Sequence, residues 1–240
     1  MTVRLTRRSV LGGLGAGLAE TLLVKRLNAA ALFAQAAKPG KLDLKLTSVT
    51  PHVLQIGIAP ADATPPTREL GTIDHPHETA LGNGSSGPLV NWGKYRIRVE
   101  EQPLRITVMD GAQKVRQEIQ FEPDSTTVRF RLGSQPLFGM GEGLTGLDRR
   151  GTRDGMRNGE GSRGLRTAGA RLPIPWLISP EGWGIFVGQP FGSFDLSKDM
   201  GVVRSSFATS TRNVYLIVGD TPAELLRGYA DLTGYPHLPP

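Results

Sequence analysis

Leu42-Asp43-Leu44-Lys45-Leu46-Thr47 puts an apolar residue at every second position, and Leu54-Gln55-Ile56-Gly57-Ile58 repeats the pattern after Pro51. A period of two is that of a strand with one face buried and the other wet. Working outward, Tyr95, Ile97 and Val99 alternate with Arg96, Arg98 and Glu100. Leu104, Ile106 and Val108 then lead into Asp110-Gly111, a strong hairpin turn signal because both residues tolerate positive φ. Val115, Ile119 and Phe121 supply a return strand whose alternation slips, and Val128, Phe130 and Leu132 make a further one. Ile174 to Ile178, Gly184 to Val187 and Val214 to Val218 complete the series, the last as a nearly continuous apolar run. The stretch from Ala59 to Asn91 is poor in apolar residues and rich in Pro, Gly, Ser and Thr, so it reads as a long surface excursion. Short strands joined by turns predict an all-β, antiparallel sandwich.

One helix is expected near the C-terminus. Thr221 is placed to cap it, Pro222 fits the first helical position and Glu224 completes a capping box. Leu225, Leu226, Tyr229 and Leu232 form its apolar stripe, and Gly234 with Pro236 ends it.

The composition agrees with a turn-rich β protein: 31 Gly and 18 Pro in 240 residues, 38% hydrophobic and 21% charged. The net charge of +6 is unevenly distributed. Arg4, Arg7, Arg8, Lys25 and Arg26 lie in an N-terminal segment with Glu20 as its one acid. Setting that segment aside leaves 23 basic residues (28 less these five) and 21 acidic ones (22 less Glu20), a net of +2. The remaining basic cluster, Arg149 to Arg171, is Gly-rich and interleaved with Asp148, Asp154 and Glu160, so it reads as a mobile loop. No nucleic-acid partner is expected. The absence of cysteine removes disulfides, thiolate nucleophiles and cysteine-containing metal sites.

The N-terminus carries an address. Thr6-Arg7-Arg8-Ser9-Val10-Leu11 resembles the twin-arginine export motif, with Arg7 and Arg8 as its pair, and Leu11 to Ala19 is a small, apolar, Gly-rich run. Ala34-Gln35-Ala36 supplies small residues where a signal peptidase reads, which predicts cleavage after Ala36. Residues 1–36 are thus expected to be a signal peptide and 37–240 the mature domain, periplasmic or secreted. A stable membrane anchor is not expected, since Glu20 and Lys25-Arg26 interrupt the apolar stretch.

Several motifs resolve into bland readings. Gly82-x-Gly84-x-x-Gly87 runs into Pro88, and Gly141-x-Gly143-x-x-Gly146 opens onto Asp148-Arg149-Arg150-Gly151; neither precedes a helix that could present its N-terminus to a phosphate. His75-Pro76-His77 lacks a third ligand and reads as a solvated loop, so neither metal nor cofactor is expected. Glycoside hydrolysis needs two rigidly held carboxyl groups about 5 to 10 Å apart. Of the candidates, Glu142 in Phe138-Gly139-Met140-Gly141-Glu142-Gly143 reads as a buried, structurally paired acid. Asp148, Asp154 and Glu160 sit in the Gly/Arg-rich loop, so no catalytic pair is expected.

Three segments in order resemble the N-terminal domain of glycoside hydrolase family 31, the α-glucosidase and α-xylosidase family. Leu137-Phe138-Gly139-Met140-Gly141-Glu142 is similar to its "yGlGE" signature. Pro173-Ile174-Pro175-Trp176-Leu177-Ile178-Ser179 with Gly182-Trp183-Gly184-Ile185-Phe186-Val187 resembles its "iPfyis…GyGvf" strand pair. Tyr215 to Pro222, then Tyr229 to Gly234 and Leu238-Pro239-Pro240, resembles "y.i.G.tp…Y..LtG.p.lPP". The resemblance implies a galactose-mutarotase-like β-sandwich for 37–240. It also implies that both catalytic aspartates belong to a (β/α)8 barrel that follows the Pro-Pro and is absent from this chain, so that no residue here is catalytic. The family sends a loop from the sandwich toward the sugar pocket. Here that loop contains Arg157-Asn158-Gly159-Glu160, making Asn158 and Glu160 the expected sugar contacts.

The expectation is therefore a non-catalytic domain that packs against a barrel and helps wall its sugar pocket, unable to hydrolyse glycosides alone. A stand-alone carbohydrate-binding module is one alternative; it would need exposed aromatics, for which Trp92, Trp176 and Trp183 are the candidates, the last two reading as core. A sugar mutarotase is the other, and it would need a His converging with Glu142 or Glu160.

Overall fold

The computed structural model describes residues 42–60, 72–73, 78–82, 89–122, 127–142, 146–156, 172–188, 192–205 and 212–236. The expected signal segment with Arg7, Arg8 and Ala36 lies outside these residues, as do His75, His77, Asn158 and Glu160.

Where the sequence alternates, the chain is extended, and the strands assemble into two antiparallel sheets. The seven-stranded sheet runs β3 (Thr79–Gly82), β1 (Leu42–Thr50), β2 (Val53–Pro60), β15 (Arg212–Val218), β12 (Trp183–Val187), β11 (Leu172–Ser179), β9 (Phe138–Glu142). The eight-stranded sheet runs β10 (Arg153–Asp154), β13 (Gly192–Asp195), β14 (Met200–Ser205), β8 (Thr127–Arg131), β7 (Val115–Phe121), β6 (Leu104–Met109), β5 (Tyr95–Glu101), β4 (Val90–Trp92). Their inner faces close on one core, to which Leu46, Leu54, Ile56, Ile185 and Leu216 contribute from one sheet and Ile97, Ile106, Ile119, Phe121 and Phe130 from the other. Phe130 and Trp183 meet edge to face across the gap, with ring centroids 6.0 Å apart. Such a pair adds about 0.5–1.5 kcal/mol beyond its buried area. Trp92, from the far edge of the eight-stranded sheet, donates its Nε1–H to Ser48 Oγ (3.1 Å) and the Thr50 carbonyl (3.1 Å), tying that edge to β1.

The outer face of the seven-stranded sheet is covered as well. The helix Pro222–Thr233 lies against it, and Val49, Val53, Trp176, Phe186, Tyr215, Ile217, Leu225 and Leu232 form a second apolar cluster. Trp176 stacks on Tyr229 with centroids 4.6 Å apart and planes 15° from parallel. This two-sided burial explains why β12 and β15 are buried at every position and read as continuous apolar runs. The helix begins as the sequence predicts, with Thr221 Oγ1 accepting from the Glu224 N–H at 3.3 Å. Glu224 Oε2 in turn accepts from the Asp220 N–H at 2.6 Å, one residue before its usual capping-box partner. Of the expected stripe, Leu226 is 53% exposed, and Gly228 takes the inward place instead. A Cβ at Gly228 would come within 2.6 Å of Ile217 Cγ2, so only glycine lets the helix approach this closely.

The hairpin signalled by Asp110-Gly111 forms between β6, which ends at Met109, and β7, which begins at Val115, although the positive φ (63°) falls on Gln113. The Asp110 carboxylate organises it by accepting from the Ala112 and Lys114 N–H groups, both at 3.0 Å. The slip in β7 is Gln117, fully buried at an inward position. Its amide donates to the Arg131 carbonyl (3.0 Å) and accepts from the Arg131 N–H (3.1 Å), so a side chain stands in for the ladder beyond Ile119↔Phe130. The stretch from Ala59 to Asn91, read as a surface excursion, contains β3 and β4, which pair with β1 and β5 and carry the chain from one sheet to the other.

Glycine requirements discriminate sharply between positions. A Cβ at Gly184 would lie 2.2 Å from the Trp176 ring, whereas one at Gly111 meets nothing within 4 Å. Gly184→Ala is expected to lower unfolding stability by about 1–3 kcal/mol in urea titrations, and Gly111→Ala to change it by less than about 0.5 kcal/mol.

Candidate functional site

The chain between β9 and β11 contains the residues expected to touch sugar, and its described parts show how it is held. β9 is an unusual strand. Gly139, Met140 and Gly141 take φ of 111°, 70° and 78° in succession. A Cβ at Gly139 would lie 2.3 Å from the Trp176 carbonyl oxygen, and one at Gly141 would lie 2.1 Å from that of Leu172. Both glycines are therefore dictated by the close approach of β11. The pairing skips from Pro173↔Gly141 to Leu177↔Gly139, so Ile174, Pro175 and Trp176 bulge opposite Met140. Met140 fills the core at 1% exposure in a conformation that ordinary side chains avoid. Strain of this kind persists only where surrounding packing dictates it.

Beyond β9 the backbone is fastened by three side chains. Arg149, only 8% exposed, donates its Nε–H to the Gly139 carbonyl (2.9 Å) and a guanidinium N–H to that of Gly146. Its own N–H bonds the Leu137 carbonyl at 2.7 Å. The Asp148 carboxylate accepts from the N–H groups of Leu137 (2.9 Å) and Arg150 (3.0 Å), the first of which chiefly holds its pKa below the usual carboxylate value. Arg150 donates to the Leu132 and Gln135 carbonyls. The chain then crosses to the other sheet, where β10 pairs with β13 (Arg153↔Asp195, Asp154↔Phe194) and Arg153 Nε lies 3.0 Å from Asp195 Oδ2. A single segment thus joins the last strand of one sheet to the last strand of the other. Residues 149–156, read from sequence as part of a mobile loop, are fixed in this way.

Three of the four candidate acids, Glu142, Asp148 and Asp154, lie among the described residues. Glu142 is exposed at the end of β9, and not buried as expected from its glycine neighbours. Asp148 is committed to backbone N–H groups, and Asp154, on the other sheet, accepts from the Met156 N–H at 2.9 Å. His52 lies at the start of β2, with Nδ1 3.2 Å from the Val218 carbonyl. Four strand steps of about 4.8 Å separate β2 from β9, so His52 does not converge with Glu142. Trp92, Trp176 and Trp183 are 1%, 7% and 0% exposed, which removes all three as sugar-stacking platforms. A cavity between the two sheets, lined by Val128, Met156, Pro175, Phe194 and Arg212 among others, measures about 20 Å³. That is room for about one water and not for a sugar ring. No group of three or more His, Asp or Glu placed to hold a metal occurs among the described residues.

Comparison with known proteins places this framework. No family model matches the chain. The α-xylosidase XylQ of Lactiplantibacillus pentosus is 34% identical over 109 residues, 44% of this chain and 14% of that protein. An α-xylosidase of Emericella nidulans is 32% identical over 108 residues, with the same coverage of each. A family 31 (GH31) dextranase of Flavobacterium johnsoniae superposes with a TM-score of 0.69 at 23% identity, over 85% of this chain and 27% of that one. This chain has the same β-sandwich fold as part of that family 31 enzyme. A GH31 α-xylosidase from a soil metagenome has the same fold at TM-score 0.57 and 16% identity, over 76% of this chain and 31% of that one. The chain therefore spans about a seventh of the length of the curated relatives it matches.

Within this sandwich, Arg149 and Arg150 are the residues that sequence reasoning missed. Their positions next to Asp148 carried no periodic signal, and a buried arginine is rare enough that an Arg/Gly-rich stretch reads as solvated. Arg149→Ala is expected to destabilise the protein by about 3 kcal/mol, since bonds from a charged donor are worth about 1.5–3 kcal/mol each. Arg149→Lys should not rescue it, because an ammonium cannot span two carbonyls as a planar fork does. Urea titration checks both variants. Asp195 offers a second test. The Ser197 hydroxyl and N–H, followed by Arg153, lower its pKa to about 2. Its stabilising contribution is thus complete above the ordinary carboxylate pKa of about 3.9 and is lost as pH falls through about 2. Carboxyl NMR titration should find that Ser197→Ala raises this pKa toward the ordinary value.

Proposed function

We propose that this sandwich is a non-catalytic part of an exported α-glycosidase, packing beside a catalytic (β/α)8 barrel and helping to wall its sugar pocket. The observation that carries this reading lies on the outer face of the seven-stranded sheet. Beyond the helix, Phe138 (37% exposed), Leu172 (50%) and Ile174 (36%) stand together on β9 and β11. Phe138 pairs with Ile178, which places it on the same side as Ile174 and Leu172. Apolar side chains clustered on an open sheet face suit a covering partner. Leu172 is also the first residue of β11, the strand that follows the connection holding Asn158 and Glu160. The relatives of which this chain matches 14–31% are longer proteins, consistent with a catalytic partner.

Asn158 and Glu160 are the sugar contacts in this reading, with a carboxylate and an amide offering the acceptor and donor that hydroxyls need. The similar proteins are named α-xylosidases and a dextranase, which makes α-linked glycosides, and α-xylosides first, the substrates to test. Arg7, Arg8 and the cut after Ala36 provide the export route.

The purified protein alone is expected to leave aryl α-xylosides and α-glucosides intact, measured by release of the aryl chromophore. Turnover that disappears on replacing Glu142, Asp148, Asp154 or Glu160 by its amide would overturn the reading. Leu172→Glu combined with Ile174→Glu should reduce binding of a hydrophobic fluorescent dye without lowering the unfolding midpoint, as expected for a docking face that contributes little to the sandwich itself.

A further inference from the structure

The outer face of the eight-stranded sheet carries a charge asymmetry that strand alternation conceals in the sequence. Ile97, Val99, Ile106, Ile119, Phe121, Val128, Phe130 and Val203 point into the core, so their neighbours point out. Arg96, Arg98, Arg105, Arg129, Arg131 and Arg204 thereby share one face. Against these six arginines stand Glu100, Glu118 and Glu122 and Glu181, 3.9 Å from Arg131; Arg116 and Lys94 are offset by Asp110 and Asp220, and Arg153 by Asp195 at the edge. The excess of two positive charges on this face stands against sixteen basic and sixteen acidic side chains over all the described residues, so positive charge is concentrated here.

The geometry points to this face as a docking surface for an acidic polysaccharide bearing carboxylates. The register aligns Glu100↔Arg105, Arg105↔Gln120 and Gln120↔Arg129 in one row across four strands. Guanidinium donors therefore alternate with carboxylate and amide groups at steps of about 4.8 Å. A chain rich in hydroxyls and studded with carboxylates uses both kinds of group, whereas interleaved glutamates repel a dense run of phosphates. A neutral glycan has little to hold it, because no large hydrophobic side chain of these strands is exposed for stacking. Charge must then supply the attraction, and arginine meets carboxylate through two parallel hydrogen bonds.

Four of these arginines are free to re-partner. Arg98 and Arg204 are exposed and make no ion pair among the described residues. Arg105 lies 3.4 Å from both Glu100 and Glu118, with its side chain 35% exposed, and Arg129 pairs with Glu122 at 38% exposed. Exposed pairs like these contribute at most about 1 kcal/mol, so an incoming carboxylate displaces them at little cost. The face is the opposite side of the sandwich from Phe138, Leu172 and Ile174, so it would stay accessible with a partner domain in place.

The test is affinity electrophoresis of the full chain in gels containing polygalacturonate, dextran or polyphosphate, at low salt and at about 0.15 M, where exposed charges are screened beyond about 8 Å. Expected are retardation by polygalacturonate that weakens with salt, no retardation by dextran, and weaker retardation by polyphosphate. Arg98→Glu combined with Arg204→Glu should weaken polygalacturonate binding at least tenfold with an unchanged thermal midpoint, and Arg98→Gln with Arg204→Gln should do so by a smaller factor. The proposal is overturned if wild type ignores polygalacturonate, if polyphosphate binds as well, or if both folded double variants bind like wild type. None of these outcomes bears on turnover or on the apolar face, so the fate of the barrel-partner reading is separate.

Discussion

The centre of the seven-stranded sheet is dry on both faces, and most other features follow from that. One face meets the eight-stranded sheet and the other meets the helix, so β12 and β15 cannot alternate polar with apolar. Glycine enters wherever two layers come too close for a side chain: Gly184 under the Trp176 ring and Gly228 under Ile217. The helix is held by the aromatic group of Trp176, Phe186 and Tyr229 and started by the Thr221 cap. An ion-pair chain at the same end joins the layers: Asp220 accepts from Lys94 and Arg116, each at 2.6 Å, and Arg116 also reaches Asp110 at 3.2 Å. Hairpin, sheet and helix are thereby linked through one carboxylate.

The framework was legible because its strands obey one of two rules. Half-buried strands such as β5, β6 and β8 alternate, and the doubly buried β12 and β15 run apolar. The helix announced itself through Thr221, Pro222, Glu224 and Gly234. What escaped were elements that obey neither rule. β9 has glycines where alternation should appear, because its backbone is pressed on β11. β13 has only four residues, and β14 sets Val202 beside Val203, so neither shows a period of two. At Gly201 the missing side chain makes room for the Phe130 ring, which a Cβ would meet at 2.4 Å, a tertiary reason that no local pattern encodes.

The candidate site was less legible than the fold. Its named residues, Asn158 and Glu160, came from likeness to a family and lie outside the described part of the chain. The residues that fasten its surroundings act through backbone carbonyls and N–H groups, and such partners leave no trace in composition. Asp148 looked like a possible catalyst and is a clamp for Leu137 and Arg150. Glu142 looked enclosed and is open. Trp92, the one tryptophan left as a sugar platform, instead donates its indole N–H across the sandwich. In each case the residue type was informative, and its direction was decided by a distant strand.

The helix also governs where this domain can be cut. Leu232 is fully buried in the second apolar cluster, and its carbonyl accepts from the Ile73 N–H at 3.0 Å. Gly234 closes the last turn by donating to Ala230 at 2.8 Å. A recombinant fragment ending before Leu232 would strip part of this cover from the aromatic groups beneath it, and one ending at Thr233 would lose the bond that closes the last turn. The workable boundary for expressing the sandwich by itself falls on the far side of that glycine.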